Sequence, residues 1–246
     1  MLSDKPWKLE SVLMVAAGML ATMSVGMLAV LALTKFGDDL SVADKSFYTS
    51  LIGNLTMQGA TLVFAHRFLS QHSITWREFL GLHRPNLLGI LLRALLVALL
   101  AVPMAHMLQR LADVFLTALR SEPPELQPAI QTLQISQTLG RRMFQSFSAL
   151  VLAPVAEEVL FRGILYAAVK ELGHPRIALF GTSIVFAAIH QSWVSLVPLT
   201  FFALVLTLLY ERTRSLLAPI VAHASFNAVN LLCFFLFRDV LQRGGS

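Results

Sequence analysis

Residues Ile177–Tyr210 read IALFGTSIVFAAIHQSWVSLVPLTFFALVLTLLY, a run of 34 residues without one charged side chain. A helix needs about 20 mostly apolar residues to cross a bilayer, so this run has room for two short spans. A soluble core has no need of so long an apolar stretch. Four further charge-free runs lie outside it, at Val12–Thr34, Ser46–Ala65, Ala94–Gln109 and Ser215–Phe237, and the first and last reach spanning length alone. The 246 residues are 56% hydrophobic and only 13% charged, where a soluble domain carries about 25% charged residues. The pattern predicts an all-α fold, a polytopic transmembrane helical bundle of about seven spans, near 12–34, 47–65, 87–106, 143–169, 177–195, 197–211 and 216–237.

Between the spans the chain is less uniform. Residues 68–86, with Trp76, Arg77, Glu78, Phe79, Leu80, Leu82 and Arg84 closed by Pro85, suit a short helix lying at the membrane interface. Residues 107–142 form the longest connection, amphipathic over Met107–Leu119 and broken at Pro123-Pro124. The tail from Gly244 to Ser246 is expected to be disordered. The expected organisation is 1–142 as N-terminal spans with interfacial and connecting segments, 143–237 as the motif-bearing core, and 238–246 as a short tail.

The formal charge of +5 is modest, and the basic residues stand between the spans, which suits a membrane protein and not a nucleic-acid binder. Lys5 and Lys8 precede the first run, but that run is too long for a signal peptide and lacks a small-residue cleavage pattern, so it reads as an uncleaved span. With the N-terminus inside, nine Lys and Arg fall inside and eight outside, four of the eight in the 107–142 connection. A multi-pass protein of the plasma or inner membrane with a cytoplasmic N-terminus is the expectation. The single cysteine, Cys233, cannot form an intramolecular disulfide and reads as a small apolar residue.

The expected function comes from polar residues inside the last four spans. The fourth contains Pro154, Glu157, Glu158 and Arg162. Charges at the bilayer centre are costly, face the bundle interior or water, and mark functional candidates. Glu158 and Arg162 stand at i and i+4, acid first, the favourable order for a helical ion pair, so a purely structural pair is a sufficient explanation for them. Glu157 points about 100° away around the helix and is not neutralised by that pairing. His190 closes Phe186-Ala-Ala-Ile-His190 in the fifth span, and the seventh carries His223-Ala-Ser-Phe-Asn227 on one face. Taken singly, each has a bland reading as a satisfied core histidine or as helix-packing glue.

Depth sets them apart as a group. At ~1.5 Å per residue, Glu157 lies about 20 Å from Lys170, His190 about 21 Å from Arg176, and His223 and Asn227 about 14 and 20 Å from Arg214. Three helices thus bring four polar side chains to nearly one level. A carboxylate in a low-dielectric site can act near neutral pH as general base; beside an imidazole it can hold a water and take its proton. A second His and an Asn amide are donors suited to an oxyanion formed from a peptide carbonyl. Glu157, His190 and His223 could instead hold Zn²⁺ with water as fourth ligand.

In these residues the chain resembles the CAAX prenyl endopeptidase and bacteriocin-processing (CPBP, Abi) family of intramembrane proteases. That family's Glu-Glu-x-x-x-Arg, Phe-x-x-x-His and His-x-x-x-Asn motifs read here Glu157-Glu158-Val-Leu-Phe-Arg162, Phe186-Ala-Ala-Ile-His190 and His223-Ala-Ser-Phe-Asn227. The resemblance covers Glu157 to Asn227. It implies an intramembrane endopeptidase with Glu157 as catalytic base, His190 helping to hold the water, His223 and Asn227 stabilising the oxyanion, and Glu158 with Arg162 in support. It further implies a membrane-associated peptide or protein as substrate. A glutamate mechanism without cofactor is preferred to zinc, since no His-Glu-x-x-His occurs.

Other proteases fit less well: Gly181-Thr-Ser183 lacks the second glycine of a serine-nucleophile turn, with Val185 in its place. Gly37-Asp38 completes no aspartyl motif. A transporter would call for paired broken helices or repeats, which the chain does not show. A non-enzymatic membrane scaffold or bacteriocin-immunity protein is the principal alternative.

Overall fold

The computed structural model describes residues 7–83, 86–120 and 138–243. Eight helices can be followed through them: α1 (Leu9–Phe36), α2 (42–71), α3 (Trp76–Phe79), α4 (Leu87–Arg120), α5 (139–171), α6 (Pro175–Ala188), α7 (Trp193–Thr213) and α8 (Leu217–Arg243). No strand occurs among the described residues. Three helices, α1, α4 and α7, are long and apolar enough to cross a membrane, while α6 and the Leu217–Cys233 part of α8 are shorter apolar helices. Each of the seven expected spans overlaps one of the eight helices, but only α1, α4 and α7 have the length and apolarity of a span.

α2 and α5 are composite rods. α2 passes through a π-helical segment at Asn54–Gly59, and α5 through two, at Ser148–Leu152 and Val159–Tyr166. Gly53, Ala60, Leu152, Ala153, Glu158 and Ala167 at the junctions all keep right-handed helical dihedrals, so neither rod breaks. π turns recur at functional sites. Here two of them begin opposite one another, where the Ser148 hydroxyl donates to Asn54 Oδ1 at 2.7 Å. One turn earlier on each helix, Ser50 Oγ donates to Gln145 Oε1 at 3.0 Å. Side-chain hydrogen bonds of this kind hold helices together where lipid offers no hydrophobic drive.

α5 is central. It packs against α2, α6 and α8, while α1 lies on α2 and α4 lies on α7 and α8. On α4 the buried face is Ile90, Ala94, Ala98, Ala101 and Ala105, small residues that let Phe202, Leu206 and Phe226 approach closely. A second core surrounds the other end of α5, with Phe79 of the one-turn α3 fully buried in it. A Cβ on Gly163, the residue after Arg162, would come within 2.4 Å of Phe79 Cζ and 3.0 Å of Leu216 Cδ1. Gly163→Ala should therefore destabilise the protein by about 1–3 kcal/mol through overpacking. Thermal unfolding in detergent checks this, and Phe79→Leu should recover part of the loss; an unshifted midpoint would contradict the packing.

The start of α5 is tied to α2 at the surface. Arg141 pairs with Asp44, whose carboxyl lies below its ordinary 3.8 because the Ser41 hydroxyl bonds it and the Arg141 guanidinium attracts it. A depressed carboxyl stabilises the fold above the unfolded value and loses that contribution as pH falls through the folded one. The stability difference between the wild type and Asp44→Asn should thus be present at neutral pH and fade in strong acid; a difference independent of pH would refute it.

Several boundaries depart from expectation. Residues 107–120 do not form a connection: α4 is one helix of 34 residues through Pro103 to Arg120, because the apolar pattern of 87–106 continues over the amphipathic stretch. The helical part of 68–86 is a single turn at Trp76–Phe79 with a Thr75/Glu78 capping box, since residues 60–71 complete α2. α6, in the place of the expected fifth span, stops at Ala188 and not near 195, so His190 stands in the turn before α7. Gln191 is left-handed (φ 52°) and Ser192 caps the Ser195 N–H, which together reverse the chain there. Pro85, Pro123-Pro124 and the Gly244–Ser246 tail lie outside the described residues.

Candidate active site

Glu157, Glu158, Arg162 and His223 are all buried, Glu158 to 0% and Arg162 to 2% exposure. The i, i+4 pair forms: Arg162 Nη1 donates to Glu158 Oε1 at 2.9 Å. The rest of the guanidinium binds α7, with Nη2 on the Ala203 carbonyl at 2.9 Å and Nε on Thr207 Oγ1 at 3.4 Å. Its plane lies over the Phe186 ring, 4.7 Å from the centroid. One cation is thus satisfied by α5, α6 and α7 together.

His223 Nδ1–H donates to the same Glu158 Oε1 at 2.9 Å, which directs Nε2 toward Glu157 Oε2, 3.9 Å away. One oxygen of Glu158 thus takes both Arg162 and His223, and Glu157 faces the other nitrogen of the same imidazole. The Oε2 of each carboxylate is buried without a hydrogen-bond partner. His190 Nδ1–H donates to the Phe186 carbonyl at 2.7 Å, so in the neutral ring Nε2 keeps its lone pair free to accept. Phe186 sits between the two imidazoles, its ring 5.0 Å from His190 and 5.8 Å from His223, and edge-on to Phe161 at 5.2 Å.

Glu158, Arg162 and His223 are therefore in direct contact, Glu157 is next to them, and His190 is joined through Phe186; no hydrogen bond links His190 to Glu157 among the described residues. Asn227 is placed differently. Its Nδ2–H donates to the Ala149 carbonyl at 2.8 Å, two turns of α5 before Glu157. The common level inferred from loop distances thus holds for His223 and the carboxylates but not for the Asn227 amide. Antiparallel packing explains this: one turn forward on α8 runs backward along α5. Phe186 as a hub, Thr207 and the Ala203 and Ala149 carbonyls were not singled out from the sequence. Thr207 had a signal, a hydroxyl among the otherwise apolar residues 201–209, whereas main-chain acceptors have none. Among the described residues no three His, Cys, Asp or Glu stand where they could hold a metal ion.

Fold and site define an α-helical membrane protein with a buried Glu-Glu-Arg-His cluster inside its bundle. Residues 140–229 of it match the type II CAAX prenyl endopeptidase Rce1-like family, the family that the three motifs resemble. "Uncharacterized protein YpbD" of Bacillus subtilis (strain 168) is 36% identical over 94 residues, covering 37% of this chain and 45% of that protein. "Putative membrane peptidase YdiL" of the same organism is 30% identical over 77 residues, 31% of this chain and 32% of that protein. The chain thus spans less than half the length of each of these curated relatives. No solved structure matches it.

Proposed function

We propose that the chain is a CAAX-type intramembrane endopeptidase of the glutamate type, its site built from the last four of seven membrane spans. The observation that carries this reading is Glu157: a carboxylate oxygen with no hydrogen-bond partner, buried, and 3.9 Å from an imidazole already oriented by a second carboxylate. The structural pair Glu158–Arg162 leaves it free for chemistry. In the proposed reaction Glu157 takes a proton from a water that His190 Nε2 helps to hold. The water oxygen bonds to the peptide carbonyl carbon, and the oxyanion accepts from His223 Nε2–H. The C–N bond then breaks, and Glu157 returns the proton to the leaving amine. Asn227, which the resemblance pairs with His223, has one N–H committed to Ala149. The substrate is a membrane-associated peptide or protein, and the N-terminus is cytoplasmic in a cell membrane.

The test is cleavage of membrane-anchored peptides by the purified chain, read by mass spectrometry with and without a strong chelator. One cleaved bond, unaffected by chelator, supports the reading; loss in chelator would replace it with zinc chemistry. Absence of cleavage, with a cellular role that survives Glu157→Gln, would replace it with the scaffold alternative.

A further inference from the structure

The π segment before the two glutamates contains an irregularity in its hydrogen bonds. Ala153 N–H bonds the Ser148 carbonyl, five residues back. The next rung in that register would join the Ala149 carbonyl to the N–H of residue 154, and residue 154 is proline. Ala149 O therefore has no main-chain donor in either register: residue 153 is committed to Ser148, and residue 154 has no N–H to give. Inside a membrane bundle such an orphan carbonyl must be satisfied by a neighbour. The Asn227 amide does so, at 2.8 Å from across the α5–α8 interface.

We propose that Asn227 is a positioning residue, supplying the N–H that Pro154 lacks and so fixing the register in which α5 presents Glu157 and Glu158. The proposal rests on the reading of Glu157 as the base. The resemblance casts the same side chain as an oxyanion donor, a role that would direct it to substrate and not to α5. Register matters because the glutamates follow the proline by three and four residues. If the Ala149 carbonyl took the residue 153 N–H, the turn would rewind to α and rotate everything after it by roughly 100°. That rotation would carry Glu157 away from His223. α8 thus grips α5 with one face at two heights, His223 on the carboxylates and, one turn on, Asn227 on the carbonyl that sets their phase.

The experiment is a double-mutant cycle on the full purified chain: wild type, Asn227→Ala, Pro154→Ala and the double variant. The readouts are the thermal midpoint and, on a peptide that the wild type cleaves, kcat and KM. Asn227→Ala should lower the midpoint by roughly 5 °C and kcat on the order of tenfold, with KM little changed. In the Pro154→Ala background both losses should shrink to less than half, because residue 154 can then donate to Ala149 itself. Equal kcat losses in both backgrounds with an unmoved midpoint would overturn the proposal, as that is the signature of a donor facing only the oxyanion. Should the wild type cleave nothing, coupling of the midpoints alone decides whether the lock exists. If Pro154→Ala does not fold, Asn227→Asp serves instead: it keeps the shape and removes the N–H donors. A midpoint equal to wild type overturns the lock, and one lowered as by Asn227→Ala supports it.

Discussion

Glu157→Gln should reduce kcat by about 10²–10⁴-fold, the range that a positioned general base contributes, while the protein folds and inserts as before. The substitution keeps the shape of the side chain and removes its negative charge and with it the ability to take a proton. Stability should barely change, because Glu157 makes no hydrogen bond that the fold depends on; its nearest charged partner is His223 Nε2 at 3.9 Å. Single-turnover cleavage beside a thermal melt separates the two effects. A variant that keeps activity within tenfold of wild type would remove Glu157 from the base role. A variant that loses activity and unfolds would make it a structural carboxylate.

Arg162→Leu should act in the opposite way, mainly on stability. Its guanidinium bonds Glu158, the Ala203 carbonyl and Thr207, and stacks on Phe186. Removing it strands Glu158, a side chain with 0% exposure. Breaking a buried pair from one side costs about 3–5 kcal/mol, which lowers the thermal midpoint of a chain this size by roughly 10 °C. The pair removed together, as Glu158→Gln with Arg162→Met, should be markedly less harmful, because no charge is left uncompensated and the substituted amide oxygen still accepts from His223. Equal midpoints for single and double variants would show that the cost lies in lost packing and not in the stranded carboxylate. Arg162→Lys tests geometry: an ammonium cannot make three bonds in the plane of a fork, so it should recover only part of the loss.

The long helices were legible in the sequence because hydropathy alone encodes them, and the i, i+4 pairing of Glu158 with Arg162 was legible because helical spacing dictates it. What stayed hidden depends on main-chain register. Nothing in the apolar run Ile177–Tyr210 marks where the chain reverses; that is decided by Gln191 entering the left-handed region and Ser192 capping the next helix. The π turns are invisible for the same reason, since side-chain periodicity records no hydrogen-bond partner. The joining of α4 across residues 107–120 was hidden because a broad apolar face and an amphipathic one grade into each other without a stop signal. Asn227 was legible as polar and helix-facing, but its partner is a carbonyl, and only Pro154 betrays that this carbonyl lacks a donor.

The shortness of α6 bears on how the proposed hydrolase site would be supplied with water. Its 14 residues reach about 21 Å at ~1.5 Å per residue, against roughly 30 Å of hydrocarbon. At the His190 end of α6, Gln191 and Trp193 are exposed. On the proposed seven-span reading, a thinned bilayer or a dip of the headgroup layer beside that turn would bring water down to the imidazole. On this reading the depth of the site, measured from bulk solvent, is set by the bilayer's response as much as by the helices, and acyl-chain length becomes a variable of the chemistry.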